Sequence, residues 1–465
     1  MNRDEIARED FKERKGKKRI LIYGAQCDHT TGNSKLIYHM AKSFQAEGHT
    51  VFTIGIEYND YSKSYNGVPI LPSFFCETCG HSKKGSNEGV QKIANWLNTL
   101  QVDYFICVGD PYHYQQMGIG KMSFDKMEHT KALLYATIDS EGMLCNQMLE
   151  LAGKPDYLDV CDAVIATAKY TQEQMKEWRN IDCELVYEAI DLDLIYVPVT
   201  SERKTELRKK YRFKENDFII YAGGRNLMRK RHNDLIDAAA KLITETENTY
   251  LYLNIPSGEG LAFPDIMNPL DFIQRVLKHK YGRDLITEGR ISFVGRSGLG
   301  DAGISERQNA ELYQIADVYA TTTGGEGFGL MPVEAQACGI PVIVPDNSTG
   351  WETIGGERGH KNTQLGFSFA KGGLLLETPI ELWQDLGIKQ YLTTPAFCYN
   401  AIKYLHNDPE LRTALGKGGR EYVEKHFNLA NFRKRWKEVI ENTQKKKREE
   451  FKQLEIPAEE KKEDS

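Results

Sequence analysis

No stretch of this sequence is apolar for the roughly 18 residues that a membrane-spanning helix needs. Runs such as Tyr104 to Val108 or Ile340 to Val344 stop after five, which excludes integral insertion. Positive charge is not in excess either: 60 Lys and Arg stand against 66 Asp and Glu, a formal net charge of −6, so no global field draws the chain to nucleic acid. Cysteine is neither plentiful nor paired in pattern. The nine (Cys27, Cys76, Cys79, Cys107, Cys145, Cys161, Cys183, Cys338 and Cys398) are odd in number and scattered, as expected for reduced thiols rather than a disulfide framework. Cys76-Glu-Thr-Cys79-Gly-His81 offers three ligands where zinc wants four, and no second CxxC follows, so an apolar or turn role is expected and no metal. The opening MNRDEIAREDFKERKGKK mixes acids with bases and lacks the apolar core of a secretory signal, which points to a cytoplasmic protein. What is present is ordinary globular composition: 40% hydrophobic and 27% charged residues over 465 positions, enough for two to three cores.

Organisation along the chain follows from periodicity. Arg19-Ile-Leu-Ile-Tyr23 reads as a strand, Gly24 to Ser34 as a polar loop containing Gly32, and Lys35 to Glu47 as a helix with Leu36, Met40, Ala41 and Phe44 on one face. Gly48 closes that helix as a left-handed cap and Thr50 to Ile54 resumes as a strand, completing a βαβ unit. Further buried strands are predicted at Tyr104 to Val108, Ala132 to Ala136 and Ala163 to Ala166. The pattern restarts at Phe218 to Ala222, followed by the turn Gly223-Gly224 and a helix from about His232, with later strands near residues 250, 291, 318 and 341. Two doubly wound α/β units are therefore expected. The expected division is a charged extension over 1–17, an N-terminal Rossmann-like domain over 18–197, a C-terminal one over 198–430, a last helix over 431–445 and a charged tail over 446–465. The tail, dense in charge and poor in anchors, is expected to be disordered; its interleaved acids weigh against a lipid-surface helix, although peripheral membrane association stays open.

Thr321-Thr-Thr-Gly-Gly-Glu326-Gly-Phe-Gly-Leu-Met-Pro-Val-Glu334 is the most informative stretch. Pro332 suits a first helical turn, and Gly339 with Pro341 ends the helix quickly. The backbone N–H groups of Gly327, Phe328, Gly329, Leu330 and Met331 would then face outward at a positive helix end, a site for an anion such as a sugar-nucleotide diphosphate. Glu326 before the loop and Glu334 in the first turn are expected to address hydroxyls rather than charge. A second element, Gly223-Gly224-Arg225-Asn-Leu-Met-Arg-Lys230-Arg231, sits between a strand and a helix, where open sheets bind ligands. Arg225 and Lys230 could neutralise a departing diphosphate without a metal, leaving Arg229 and Arg231 to solvent.

These elements resemble the retaining family 4 nucleotide-sugar glycosyltransferases of GT-B fold. Glu326 to Glu334 is similar to their E-x7-E signature, and Gly224-Arg225 with Lys230 to their GR-x4-K element; the resemblance runs more weakly through Tyr135 to Gly142, Cys161 to Tyr170 and Glu188 to Asp191. It implies two facing Rossmann-like domains with a C-terminal helix crossing back. It also implies a role for each matching residue: Arg225 and Lys230 on the diphosphate, Glu334 on the ribose, Glu326 and the Gly327–Leu330 backbone on the donor sugar, Arg296 by the base, and Gly32 opposite the phosphates. Departures are Thr323 for a usual serine, Glu188-Ala189 for His-Gly, and Asp139 where many members carry a catalytic histidine; Asp139 is either an acceptor or donor contact or a strand-end cap.

The implied reaction moves a sugar from a nucleotide diphospho-sugar to an acceptor hydroxyl with retention, the leaving phosphate taking the acceptor proton. It needs no cofactor. The Asp191-Leu-Asp193 spelling of a metal-binding DxD lies in the interdomain segment, away from the phosphate loop, and is rejected as a metal site. The acceptor (sugar, lipid-linked sugar, protein or modified nucleic acid) is unread, although tyrosines at 58 to 65 and Tyr112-His113-Tyr114 could stack on one. Rival readings are a sugar-nucleotide epimerase or phosphorylase on the same architecture, and a catalytically silent sugar-nucleotide-binding subunit.

Overall fold

The computed structural model describes residues 16–28, 31–55, 62–72, 93, 96–111, 129–142, 157–255, 269–294, 304–359, 363–384 and 387–445. Its first lobe contains β1 (Arg19–Gly24), β2 (Thr50–Gly55), β3 (Lys63–Tyr65), β4 (Val68–Pro72), β5 (Tyr104–Gly109), β6 (Lys131–Ala136), β7 (Ala163–Ala166) and β8 (Glu184–Leu185). They form one sheet in the order β3-β4-β2-β1-β5-β6-β7-β8. All neighbours are parallel except the β3–β4 hairpin. The Ile-Leu-Ile run of β1 is wholly buried because helices cover both faces of a parallel sheet. The first helix, α1, spans Gly32–Ala46 and starts three residues before the sequence pattern indicates. Thr31 is the reason: its hydroxyl accepts the Ser34 N–H, fixing an N-cap.

The second lobe repeats the plan with β9 (Phe218–Gly223), β10 (Thr249–Asn254), β11 (Ile291–Phe293), β12 (Val318–Ala320), β13 (Val342–Pro345), β14 (Phe367–Phe369) and β15 (Gly373–Leu376). Their order is β11-β10-β9-β12-β13-β15-β14, parallel but for β14. Strand order reverses between β9 and β12, so the loops leaving them lie at the switch point, the crevice where such sheets bind ligands. The Gly224–Arg231 and Thr321–Gly329 segments are those two loops.

A hairpin not anticipated from the sequence, β16 (Ile380–Trp383) with β17 (Lys389–Leu392), forms a separate two-stranded sheet. It leaves the second lobe and meets the first, where Glu141 and Lys389 pair as an isolated antiparallel bridge. The last described helix, Leu429–Asn442, crosses back as expected. Trp436 on it is buried in the first lobe's core against Phe44 and Tyr135, with ring centroids 5.5 and 5.0 Å away. The Tyr104 hydroxyl donates to the Ile440 carbonyl at 2.5 Å. Burying a side chain of that size is worth about 3 kcal/mol, which ties the chain's end to its beginning.

Among the described cysteines, Cys27, Cys107, Cys161, Cys183, Cys338 and Cys398 are thiols outside any disulfide. The Cys76/Cys79/His81 group, Cys145, Arg296, the Tyr112-His113-Tyr114 loop, residues 1–15 and the 446–465 tail lie outside the described residues. No helix among the described residues is long and apolar enough to cross a membrane.

Candidate active site

The two loops of the second lobe meet as the sequence spacing suggests. The Lys230 ammonium pairs with Glu326. Gly324 N–H donates to the Arg229 carbonyl at 2.6 Å, and the Thr323 hydroxyl donates to the same carbonyl at 3.3 Å, so the two loops are locked together. Burial alone would raise the Glu326 carboxyl, but Lys230 and Arg229 outweigh it and hold the group at about 2. Burial lowers the Lys230 ammonium from the usual lysine range, with Glu326 opposing that effect. Glu326 therefore faces charge in this structure, not hydroxyls as the sequence reading held, because Lys230 and Arg229 converge on it.

Arg229 is a second correction. It is not turned to solvent: its Nε lies 2.8 Å from Asp139 of the first lobe, and its guanidinium is 3.3 Å from Glu326 and donates to Gly325 O at 2.5 Å. The short 3₁₀ turn Met228–Lys230 aims both cations inward. Arg231 does turn outward, in a left-handed conformation with φ 51°, and pairs with Asp234. Arg225 is exposed; its carbonyl accepts a hydrogen bond from the buried His232 ring at 3.1 Å, which shapes the turn. Gly224, with φ 123°, lies under Lys230 and lets the backbone make that turn.

Glu334 sits in the helix Leu330–Ala337. Because Gly329, at φ 92°, ends the loop in a left-handed cap, the helix starts at Leu330, and Glu334 falls in its second turn rather than the first. The residue is only 1% exposed. One carboxylate oxygen accepts from Asn309 Nδ2 at 3.0 Å and Tyr313 OH at 2.9 Å, and the other from Lys35 Nζ at 2.8 Å. Lys35 belongs to α1, just beyond Gly32, whose added Cβ would lie 3.4 Å from Leu330. The glycine-bearing start of α1 thus faces the start of the Leu330–Ala337 helix across the cleft.

The glycines of the loop serve the other lobe. A Cβ on Gly325 would fall 1.8 Å from the Asp139 carbonyl, and one on Gly327 would fall 2.9 Å from Thr137. Absence of a side chain at both lets the end of β6 lie directly on the loop, with Thr167 OH donating to Gly327 O at 3.3 Å. Asp139 is thus an interlobe ion-pair partner. Asp191 accepts the N–H groups of Asp193 and Leu194 in a local turn.

Further residues at this interface escaped the sequence reading. Glu352, 3% exposed, accepts the backbone N–H of Lys169 at 3.0 Å and of Tyr170 at 3.1 Å. These begin the first-lobe helix Lys169–Arg179, whose own N-cap, Ala168, makes no side-chain bond. A carboxylate from the opposite lobe completes that helix end. Lys389 pairs with Glu141 at 2.9 Å, and Gln390 Nε2 donates to Ser140 Oγ at 3.2 Å. None of these has a local signal, since each partner comes from the other lobe.

Two facing doubly wound lobes, a crossing helix and a cationic crevice at the second lobe's switch point define the class: this is a protein of GT-B fold. Within that class the chain is similar to the group 1 glycosyltransferases over residues 302–359, which match the family model described as Glycosyl transferases group 1. The D-inositol 3-phosphate glycosyltransferase of Mycobacterium sp. (strain KMS) is 28% identical over 218 residues, 46% of this chain and 44% of that protein. The N-acetyl-alpha-D-glucosaminyl L-malate synthase of Bacillus anthracis is 28% identical over 164 residues, 35% of each. The chain spans less than half the length of these curated relatives. Among solved structures, sucrose-phosphate synthase from Thermosynechococcus elongatus superposes with a TM-score of 0.64 at 17% identity, over 91% of this chain and 98% of that one. HepE of Anabaena, solved with UDP and glucose, superposes with a TM-score of 0.62 at 15% identity, over 91% and 99%. These likenesses carry the fold.

Proposed function

We propose that the protein transfers a glycosyl unit from a nucleotide diphospho-sugar to an acceptor hydroxyl, with retention at the anomeric carbon and without a metal. The observation that carries this is the meeting of Lys230 and Glu326 in the β9/β12 crevice, beside the start of the Leu330–Ala337 helix that holds Glu334. In transfer, negative charge builds on the departing diphosphate. Lys230, Arg225 and the positive helix end stabilise that charge, and they act most strongly in a cleft that the two lobes close to water. Lys230 releases Glu326 when it takes up phosphate, and Glu326 then turns to the donor sugar. Glu334 reads the ribose. Two cations and a helix terminus supply the charge that a divalent ion would otherwise bring, which supports metal independence. Arg229 holds Asp139 at the acceptor side, where a carboxylate positions the incoming hydroxyl; the phosphate oxygen takes its proton. The presence of UDP and glucose in the HepE structure favours a hexosyl donor.

Incubation with a panel of radiolabelled UDP-, GDP- and ADP-sugars, in chelator, tests this reading. Transfer or slow nucleotide release with one donor is expected, and NMR of the product should show the donor's anomeric configuration. Binding without turnover across acceptor panels would favour a silent subunit, and interconversion of the nucleotide-sugar an epimerase.

A further inference from the structure

Lys35 is a first-lobe cation that reaches across to the second lobe. Its Nζ lies 2.8 Å from Glu334 Oε1, 2.8 Å from the Tyr196 hydroxyl and 3.7 Å from Glu306 Oε1. Since Asn309 and Tyr313 occupy the other oxygen of Glu334, the carboxylate assigned above to the ribose has both oxygens engaged. Glu306 differs: its Oε1 is buried and makes no hydrogen bond. It is not needed to cap its own helix, Glu306–Ile315, because Ser305 and Gln308 already form a capping box there. The site therefore holds one ammonium between two carboxylates, one of them taken and the other waiting.

We propose that Lys35 is a two-position closure residue: the ribose of a nucleoside diphosphate takes Oε1 of Glu334, and the ammonium, still held by Tyr196, moves to Oε1 of Glu306. The inference rests on Glu334 as the ribose reader. Breaking a buried ion pair without replacement weakens binding on the order of 10²-fold. Exchange of one carboxylate for another removes most of that penalty and keeps Lys35, hence the first lobe, latched to the second while the donor is bound. Lys35 and Glu306 act through Glu334 and are positioning residues.

Titration calorimetry with UDP, GDP and ADP on the full chain tests this, following whichever binds most tightly. Glu306→Gln should weaken binding about 10-fold by removing the second seat. In a Lys35→Met background, adding Glu306→Gln should change nothing more, because no ammonium is left to move. The 2′,3′-dideoxy form of the same nucleotide leaves Glu334 Oε1 to Lys35, so Glu306→Gln should not affect its binding. Thermal melts of each variant exclude loss of fold. Wild-type affinity in Glu306→Gln, additive effects of the two substitutions, or an equal loss with the dideoxy probe would overturn the switch. Glu334→Gln separates the two levels: unchanged affinity there, or no binding by any of the three nucleotides, would remove the ribose assignment and this inference with it, whereas a loss in Glu334→Gln alone would remove only the switch.

Discussion

Lys230→Met removes the ammonium that pairs with Glu326 at the meeting point of the two loops. Both side chains are mostly enclosed, 15% and 19% exposed, so solvent screens the pair only partly. Holding the Glu326 carboxyl at about 2 instead of its ordinary 4.5 corresponds to about 3 kcal/mol of stabilisation. Burial of the Lys230 ammonium offsets part of this, and Arg229 remains 3.3 Å away in the variant, so the expected loss is about 1–3 kcal/mol. A carboxyl held low in the folded protein contributes stability that is present above its unfolded pKa and is lost as pH falls through the folded one. The wild-type advantage should therefore be full above about pH 5 and should shrink toward pH 2. Calorimetric melts across that range, alongside turnover with the donor that the panel identifies, make the check. Turnover should fall by about 10²-fold or more, since a charge-stabilising group is gone. Lys230→Met with Glu326→Gln should recover most of the stability without the turnover, because it leaves no stranded charge. A stability gap that stays constant from pH 5 to pH 2, or turnover within a few-fold of wild type, would refute the reasoning.

Other substitutions probe the lobe contact. Gly325→Ala places a Cβ 1.8 Å from the Asp139 carbonyl; the lobes must part, and a drop of at least about 10²-fold in kcat/KM is expected from steady-state kinetics, because small misplacements of reacting groups cost that much. Glu352→Ala strips the Lys169–Arg179 helix of its only side-chain acceptors at Lys169 and Tyr170 among the described residues, so denaturant unfolding should show a loss of about 1–2 kcal/mol. Glu188, 4% exposed, is pushed up to about 8 by burial and then by the Glu326 charge. Its folded form keeps a proton that the unfolded chain has released, so it costs stability as pH rises from about 4.5 to 8; Glu188→Gln should flatten that decline in melts taken at pH 5 and pH 8.

The parts of the fold set by local pattern were legible. Short apolar, β-branched runs closed by glycine, such as Phe218 to Ala222, read as interior parallel strands, and their alternation with helices indicates the doubly wound lobes. The meeting of Lys230 with Glu326 was legible because the two lie on loops leaving adjacent strands. The partners that cross between lobes were not. Arg229 looks like one more base in a basic loop until Asp139 stands beside it, and Glu352 looks like a helix acid until the uncapped Lys169–Arg179 helix meets it. Glu326 read as a hydroxyl-facing acid because sequence does not show that the Met228–Lys230 turn brings two cations onto it. The β16–β17 hairpin was missed because Ile380–Trp383 is short and mostly exposed, with no buried face to betray its period.

A crystal structure of the protein with a bound nucleoside diphosphate is the most direct measurement. The β-phosphate should lie within hydrogen-bond distance of Lys230 and of backbone N–H groups at the start of the Leu330–Ala337 helix, with the ribose against Glu334. Clear density for the nucleotide anywhere else, with Lys230 still paired to Glu326, would contradict the assignment of this crevice as the donor site.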